Sequence, residues 1–251
     1  MLLVADVHGA AAALRRVAAS GEPLLILGDL INFIDYRTNE GILTDVAGRP
    51  FVNEMVRLRS GGHMRDASEL WADMSRGREA ELRAQFDQLI ELAYEDVCGA
   101  LDGAEAYVTY GNVDQPTILA EHLPPGSRFV DAEVVDIGGL RVGFAGGGVL
   151  RLNTPGEVSE ETMAAKLASL GQVDILCTHV APAVPALARD VIGGREKGST
   201  AVLDYLLEVR PPFHYFGDIH QPQAISWQLG DTLCRNVGYF RATGKAVRHE
   251  P

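Results

Sequence analysis

Five short polar clusters punctuate this sequence, each standing directly behind a run of apolar residues: Asp6-Val7-His8, Gly28-Asp29, Gly111-Asn112-Val113-Asp114, Thr178-His179 and Gly217-Asp218-Ile219-His220. Carboxylate, amide and imidazole groups without thiolates suit divalent ions such as Mn, Fe, Zn or Mg. Singly, each cluster has an ordinary reading. Asp-x-His arises by chance, Gly28-Asp29 fits a turn with an Asx bond, and Asn112 fits a helix cap. His179 fits a buried imidazole bonded to backbone, and Asp218 with His220 a surface turn. Their recurrence behind five apolar runs is what points to chemistry, because ligands of α/β sheets bind at the carboxyl ends of strands.

The elements that must position these residues follow from periodicity. Leu2–Ala5, a helical Ala10–Ala19, a Gly21-Glu22-Pro23 break and Leu24–Leu27 read as strand, helix, strand. Next comes a loop with Tyr36, Arg37, Gly41 and Gly48. Helical segments follow, and along Gly77–Ala100 the residues Leu82, Phe86, Leu89, Ile90, Ala93 and Val97 recur at helical spacing. Strand Ala106–Thr109 resumes the sheet. Glu133–Ile137 and Leu140–Ala145 flank Gly138-Gly139 as a hairpin, and a second hairpin joins Ala224–Leu229 to Thr232–Asn236 through Gly230-Asp231. Between them lie a helix at Val158–Leu170, a strand at Asp174–Cys177, a helix at Ser199–Val209 and a strand at Phe213–Phe216. The simplest parse is one α/β domain spanning residues 1–251 with a helical insertion at about 30–105.

Composition sets limits on function. With 251 residues, 47% of them hydrophobic and 22% charged, the chain has the means to bury a large core and is unlike a disordered one. A net charge of -12 argues against a broad basic surface for nonspecific nucleic-acid binding but leaves small phosphorylated substrates open, since bound cations invert the local electrostatics. Cys98, Cys177 and Cys234 are widely spaced and odd in number, which fits a reducing cytoplasm better than a disulfide framework. The apolar start Met1–Ala5 is too short for a signal peptide or a membrane span.

The order Asp-x-His, Gly-Asp, Gly-Asn, His, Gly-x-x-His resembles the calcineurin-like metallophosphoesterase superfamily across nearly the whole chain outside the insertion. The run from Gly198-Ser199 to Gly217-Asp218-Ile219-His220 is similar to its small-phosphodiesterase branch. This resemblance implies a four-layered αββα sandwich and two divalent metal ions, Mn foremost, with Fe, Mg and Zn as alternatives. It assigns Asp6, His8 and His220 to the first ion, Asp29 to a bridge, and Asn112 and His179 to the second. Two ions about 3.5–4 Å apart lower the pKa of a bridging water and orient it in line with phosphorus. The expected activity is hydrolysis of phosphodiesters or nucleotide-like molecules by the hydroxide so formed.

Two positions depart from the pattern. Asp218 stands where the family has the first His of Gly-His-x-His, an expected metal ligand that exchanges a neutral nitrogen for an anionic oxygen and favours Mn or Mg over Zn. Val113 stands where many members have a His that protonates the leaving group, and a general acid is worth about 10²–10⁴-fold. Asp114 is the candidate to replace that acid. Arg151, behind Gly146–Gly148, is a weaker candidate for a substrate phosphate, and Asn32 for the pocket wall; His63, His122, His214 and His249 fit no cluster, and Trp71 and Phe86 read as core. Both departures fall in the site, so the competing expectation is a catalytically weakened metal- or nucleotide-binding protein of the same fold. A homo-oligomer formed through the helical insertion is compatible with either.

Overall fold

In the computed structural model of the chain, residues 1–191 and 196–250 are described. The first half contains β1 (Leu2–Val4), α1 (Ala11–Ala18), β2 (Leu24–Leu27), α2 (Ile42–Ala47), α3 (Arg49–Ser60), α4 (Met64–Ser75), α5 (Glu79–Gly99), β3 (Ala106–Thr109), α6 (Pro116–His122) and β4 (Ser127–Phe129). The second half opens with β5 (Glu133–Ile137), β6 (Leu140–Ala145), the two-residue strands β7 (Gly148–Val149) and β8 (Glu157–Val158), α7 (Glu160–Leu170) and β9 (Ile175–Thr178). It continues through β10 (Ala181–Pro182), α8 (Pro185–Ala188), β11 (Gly198–Ser199), α9 (Thr200–Val209), β12 (Phe213–Phe216), β13 (Ser226–Leu229), β14 (Thr232–Asn236), α10 (Phe240–Thr243) and β15 (Val247–Arg248). No helix among the described residues is long and apolar enough to cross a membrane.

Of the two large sheets, one runs β15-β1-β2-β3-β4 and the other β13-β14-β12-β9-β6-β5, while β7 with β8 and β10 with β11 form two-stranded pairs. Within the first, β1, β2, β3 and β4 are parallel; within the second, β6, β9, β12 and β14 are parallel. Strands buried on both faces read as continuous apolar runs, and Leu24–Leu27 is fully buried along its length. Leu3, Leu25 and Leu27 of the first sheet meet Val142, Phe144, Ile175, Cys177 and Tyr215 of the second in a core between the sheets. The opposite face of the first sheet is covered by α1 and α5 through Leu14, Ile90, Tyr94 and Val97. Helices α7 and α9 cover the second through Met163, Leu167, Val202 and Leu206. The result is a helix–sheet–sheet–helix sandwich, the layered α/β architecture expected from the sequence.

Local chemistry explains several boundaries. The helices α7 and α9 each begin one residue after a serine, and Ser159 and Ser199 accept hydrogen bonds from the backbone N–H groups of Thr162 and Val202. The β5–β6 hairpin turns through Gly138 and Gly139 at φ 63° and 83°, the left-handed pair a two-residue turn needs. Between β2 and β3, helices α2 to α5 occupy the segment read as an insertion; Phe51 and Trp71 pack with Met55 and Leu58 there, and Phe33 stacks on Phe86.

Candidate metal centre

Asp6 and His8 follow β1, Asp29 follows β2 and Asn112 follows β3, while His179 follows β9 and both Asp218 and His220 follow β12. Parallel strands bring all these ends to one edge of each sheet, and the two edges meet. His179, from the second sheet, places Nδ1 2.8 Å from the carbonyl oxygen of Leu27 in the first, and the Asp218 N–H donates across the gap to Asp6 Oδ2 at 3.1 Å. Asp6, His8, Asp29 and Asp218 all adopt positive φ, between 42° and 60°. Non-glycine residues rarely do so, and such strain concentrates where side chains must be aimed. Close approach of the loops depends on small residues. A Cβ on Gly111 would lie 2.2 Å from Asp29 Oδ1 and 2.6 Å from His179 Cε1.

The ligand atoms of Asp6, His8 and His220 lie within 4.8 Å of one another, and so do those of Asp6, Asp29 and His179. Asp29 aims one oxygen at each side: Oδ2 is 3.6 Å from His8 Nε2 and Oδ1 is 3.5 Å from His179 Nε2. Asn112 Oδ1 stands 3.3 Å from the same His179 nitrogen. His220 Nε2 lies 3.3 Å from Asp6 Oδ1. Tyr239 stacks on the His220 ring at 3.9 Å between centroids, and the Arg241 guanidinium donates to the carbonyl of His8, holding that strained loop.

The tautomers of two histidines follow from their partners. A carbonyl only accepts, so Nδ1 of His8 donates to Ile31 and Nδ1 of His179 donates to Leu27. Each ring therefore turns Nε2 toward carboxylate oxygens. Burial keeps His8 neutral, lowering its pKa against the pull of Asp29 and Asp6, and its buried Nε2 has no hydrogen-bond partner. At His179 burial also opposes the charge, but Asp29, Asp6 and Asp218 outweigh it and raise the pKa to about 9. Burial pushes Asp6 upward, yet the His220 hydrogen bond and the neighbouring imidazoles bring it down to about 2. For His220, burial is outweighed by Asp6 and the pKa rises.

Asp114, the candidate for the missing acid, lies inside the protein. It is fully buried; Oδ2 accepts from the backbone N–H groups of Asp29 at 2.7 Å and Gly111 at 2.8 Å, and Oδ1 from Leu30 N–H at 3.0 Å and the Tyr94 hydroxyl at 3.2 Å. Burial, with Asp29 beside it, lifts its pKa to about 6. With four donors converging on it, the carboxylate ties the loop after β2 to the loop after β3 and is a positioning group. Val113 contributes its backbone N–H, which donates to Asp29 Oδ1 at 3.0 Å.

Asp218, expected from the sequence to be a ligand, pairs with a lysine. Its Oδ1 is 2.7 Å from the Lys197 ammonium, and the carboxylate belongs to neither group of converging ligand atoms among the described residues. Burial would discharge Lys197, but Asp218 and, beyond it, Asp29 and Asp6 raise its pKa. Sequence reasoning passed over Lys197. The available signal was its position immediately before Gly198-Ser199, the pair already singled out. Arg151 is exposed and its guanidinium donates to the Glu196 carbonyl; Asn32 reaches the Glu40 carbonyl at 3.4 Å. His214 is buried against Thr178, and His122 pairs with Glu91.

No protein-family model and no curated protein matches the chain. Solved structures do share its fold. One crystal structure aligns over 95% of this chain and 90% of its own at 14% identity, with a TM-score of 0.63. The protein TT1561 of Thermus thermophilus aligns over 98% of this chain and 96% of its own at 13% identity, with a TM-score of 0.54. An archaeal phosphodiesterase aligns over 96% and 85% at 12% identity, but at a TM-score of 0.38 the superposition is too loose to carry any inference. With two packed sheets and their strand-end clusters gathered at one edge, the chain has the same layered α/β fold as these solved structures.

Proposed function

We propose that the chain is a metal-dependent phosphoesterase acting on small phosphodiesters or nucleotide-like molecules. The observation that carries this reading is His8 Nε2, a buried lone pair without a hydrogen-bond partner that faces Asp6 Oδ1 at 3.9 Å and Asp29 Oδ2 at 3.6 Å. A lone pair turned toward two anionic oxygens is unfavourable unless a cation lies between them, and imidazole with carboxylate is a donor set for a divalent metal. The backbone carbonyls on Nδ1 of His8 and His179 fix the rings in the manner of metal-ligating histidines.

In this reading Asp6, His8 and His220 hold one ion, Asn112 and His179 hold a second, and Asp29 serves both. Bound divalent ions supply Lewis acidity toward the phosphoryl oxygens and an activated water nucleophile. The chain's own residues set the geometry. Asp114 fixes the backbone of Asp29 and Gly111, and Tyr239 orients His220. Side chains of Asp6, His179 and Asp29 are 1%, 0% and 4% exposed whereas His220 is 30% exposed, so substrate enters on the His220 side.

Val113 provides no proton for the leaving group, which favours esters whose leaving group departs without one. That same residue supports the second reading, a metal- or nucleotide-binding protein with little turnover. Hydrolysis of bis(p-nitrophenyl) phosphate in added Mn separates the two. The proposal expects metal-dependent turnover; tight nucleotide binding with no turnover at full metal loading would leave the second reading.

A further inference from the structure

Lys197 places a permanent positive charge at the open side of the cluster. Its ammonium lies 2.7 Å from Asp218 Oδ1, with the lysine side chain 35% exposed and the aspartate 4% exposed. The backbone beneath it is fixed from several directions. Lys197 N–H donates to the Ala188 carbonyl at 2.9 Å, and β11 pairs with β10 in the register Ala181↔Gly198 and Pro182↔Ser199. A Cβ on Gly198 would lie 2.6 Å from Ala183 Cα and 2.8 Å from Ala188 Cβ, so the strand that directly follows the lysine is closely packed. Ser199 then caps α9.

Asp218 is equally constrained. Its positive φ of 60° and its N–H bond to Asp6 Oδ2 hold the residue against the cluster, while its carboxylate is turned to the lysine. A side chain that only had to be neutral at this position would not need a buried carboxylate and a matching cation. The pair costs desolvation on both sides, and replacing such pairs with apolar groups is often neutral or stabilising. What the pair provides is an ammonium in a fixed place. An ammonium has three N–H donors, one of which is directed at Asp218.

We infer that Lys197, anchored by Asp218, is the anion-binding residue of the site and receives a phosphoryl oxygen, while Asp218 lies outside the metal coordination sphere. The class of anion rests on the phosphoesterase reading. Lysine is a common phosphate binder, acting as a point charge beside metal ions. A divalent ion and a fixed ammonium would together supply positive charge to a phosphoryl group, and the lysine is near enough to His220 for its charge to be felt there.

Inorganic phosphate titrated calorimetrically into the Mn-loaded chain tests this, with bound Mn measured in parallel by elemental analysis. Lys197→Met is expected to keep the wild-type Mn content and to bind phosphate at least about tenfold more weakly, the scale of one charge-assisted contact. Asp218→Asn is expected to keep its Mn content too. The double variant Lys197→Met/Asp218→Asn removes both charges, so no unpaired carboxylate is left to unsettle the fold, and its phosphate affinity should stay weak. Phosphate binding restored in the double variant would make the pair structural and overturn the inference, as would wild-type affinity in Lys197→Met or loss of Mn in Asp218→Asn. Metal-dependent ester hydrolysis with unchanged phosphate affinity in Lys197→Met would sink this inference alone. Phosphate held through Lys197 without ester turnover would sink the phosphoesterase reading and leave the inference standing.

Discussion

His8 and His179 occupy similar positions, with Nδ1 bonded to a backbone carbonyl and Nε2 facing carboxylates, yet in the metal-free protein one is neutral and the other charged. Burial dominates at His8 and lowers its pKa; the surrounding Asp29, Asp6 and Asp218 dominate at His179 and raise it to about 9. A folded-state pKa raised above the unfolded value of 6.5 means that the proton on His179 stabilises the metal-free fold fully below that value. This contribution is lost as pH rises through about 9. Metal and proton compete for the same lone pair, so Mn binding at about pH 7.5 should release about one proton from His179, and fewer as the pH approaches the upper value. Titrations in two buffers of different ionisation enthalpy measure that number. A release that does not fall with rising pH would mean that His179 is not a ligand. At this scale the sequence shows that Asp6, His8, Asp29, Asn112, His179 and His220 each follow a strand within a few residues, which is where the structure has them. The sequence was uninformative for the Lys197–Asp218 pair, whose contact spans 21 positions and depends on β10 pairing with β11.

The elements place ligands by bringing loops closer than side chains normally permit. Gly111, behind β3, lies against Asp29 and His179, so a methyl group there would enter the space of both. Gly111→Ala is therefore expected to leave the sheets formed and to weaken Mn binding by about 10–100-fold, the usual penalty for disturbing the support of a ligand. Gly99→Ala, at the end of α5 with nothing within 4 Å of the added carbon, should leave Mn binding unchanged and stability within about 0.5 kcal/mol. Circular dichroism and metal titration of both variants check this; equal Mn affinity in the two would show that loop spacing at Gly111 does not control the site. Many strands were legible from apolar runs bounded by Gly and Pro, and Leu24–Leu27, Ala106–Thr109 and Phe213–Phe216 form as read. For Asp114 the sequence shows a carboxylate two positions after Asn112 but not the four donors that close around it.

Across the whole molecule, the helical segment between β2 and β3 reaches the site through Tyr94 of α5. The Tyr94 hydroxyl, fully buried on α5, donates to Asp114 Oδ1 at 3.2 Å and accepts from Gln115 N–H at 2.7 Å. Tyr94→Phe removes both bonds and leaves a buried carboxylate and a backbone donor short of a partner, at a cost of about 1–3 kcal/mol. Urea denaturation should show that loss, and Mn affinity should fall with it because Asp114 orients the Asp29 and Gly111 backbones. Wild-type stability in the variant would show that α5 and the site are uncoupled. Helical periodicity placed α5, but nothing in the sequence pairs Tyr94 with a carboxylate 20 positions away.

Asp29 is where the two halves of the site meet, one oxygen toward His8 and the other toward His179. The measurement that tests the account most directly is the Mn content and bis(p-nitrophenyl) phosphate turnover of metal-stripped, Mn-reloaded protein, wild type against Asp29→Asn. The amide nearly preserves shape while removing the shared charge, so the account predicts a folded variant with less bound Mn and no metal-dependent turnover. A folded Asp29→Asn chain with wild-type Mn content and turnover would contradict it.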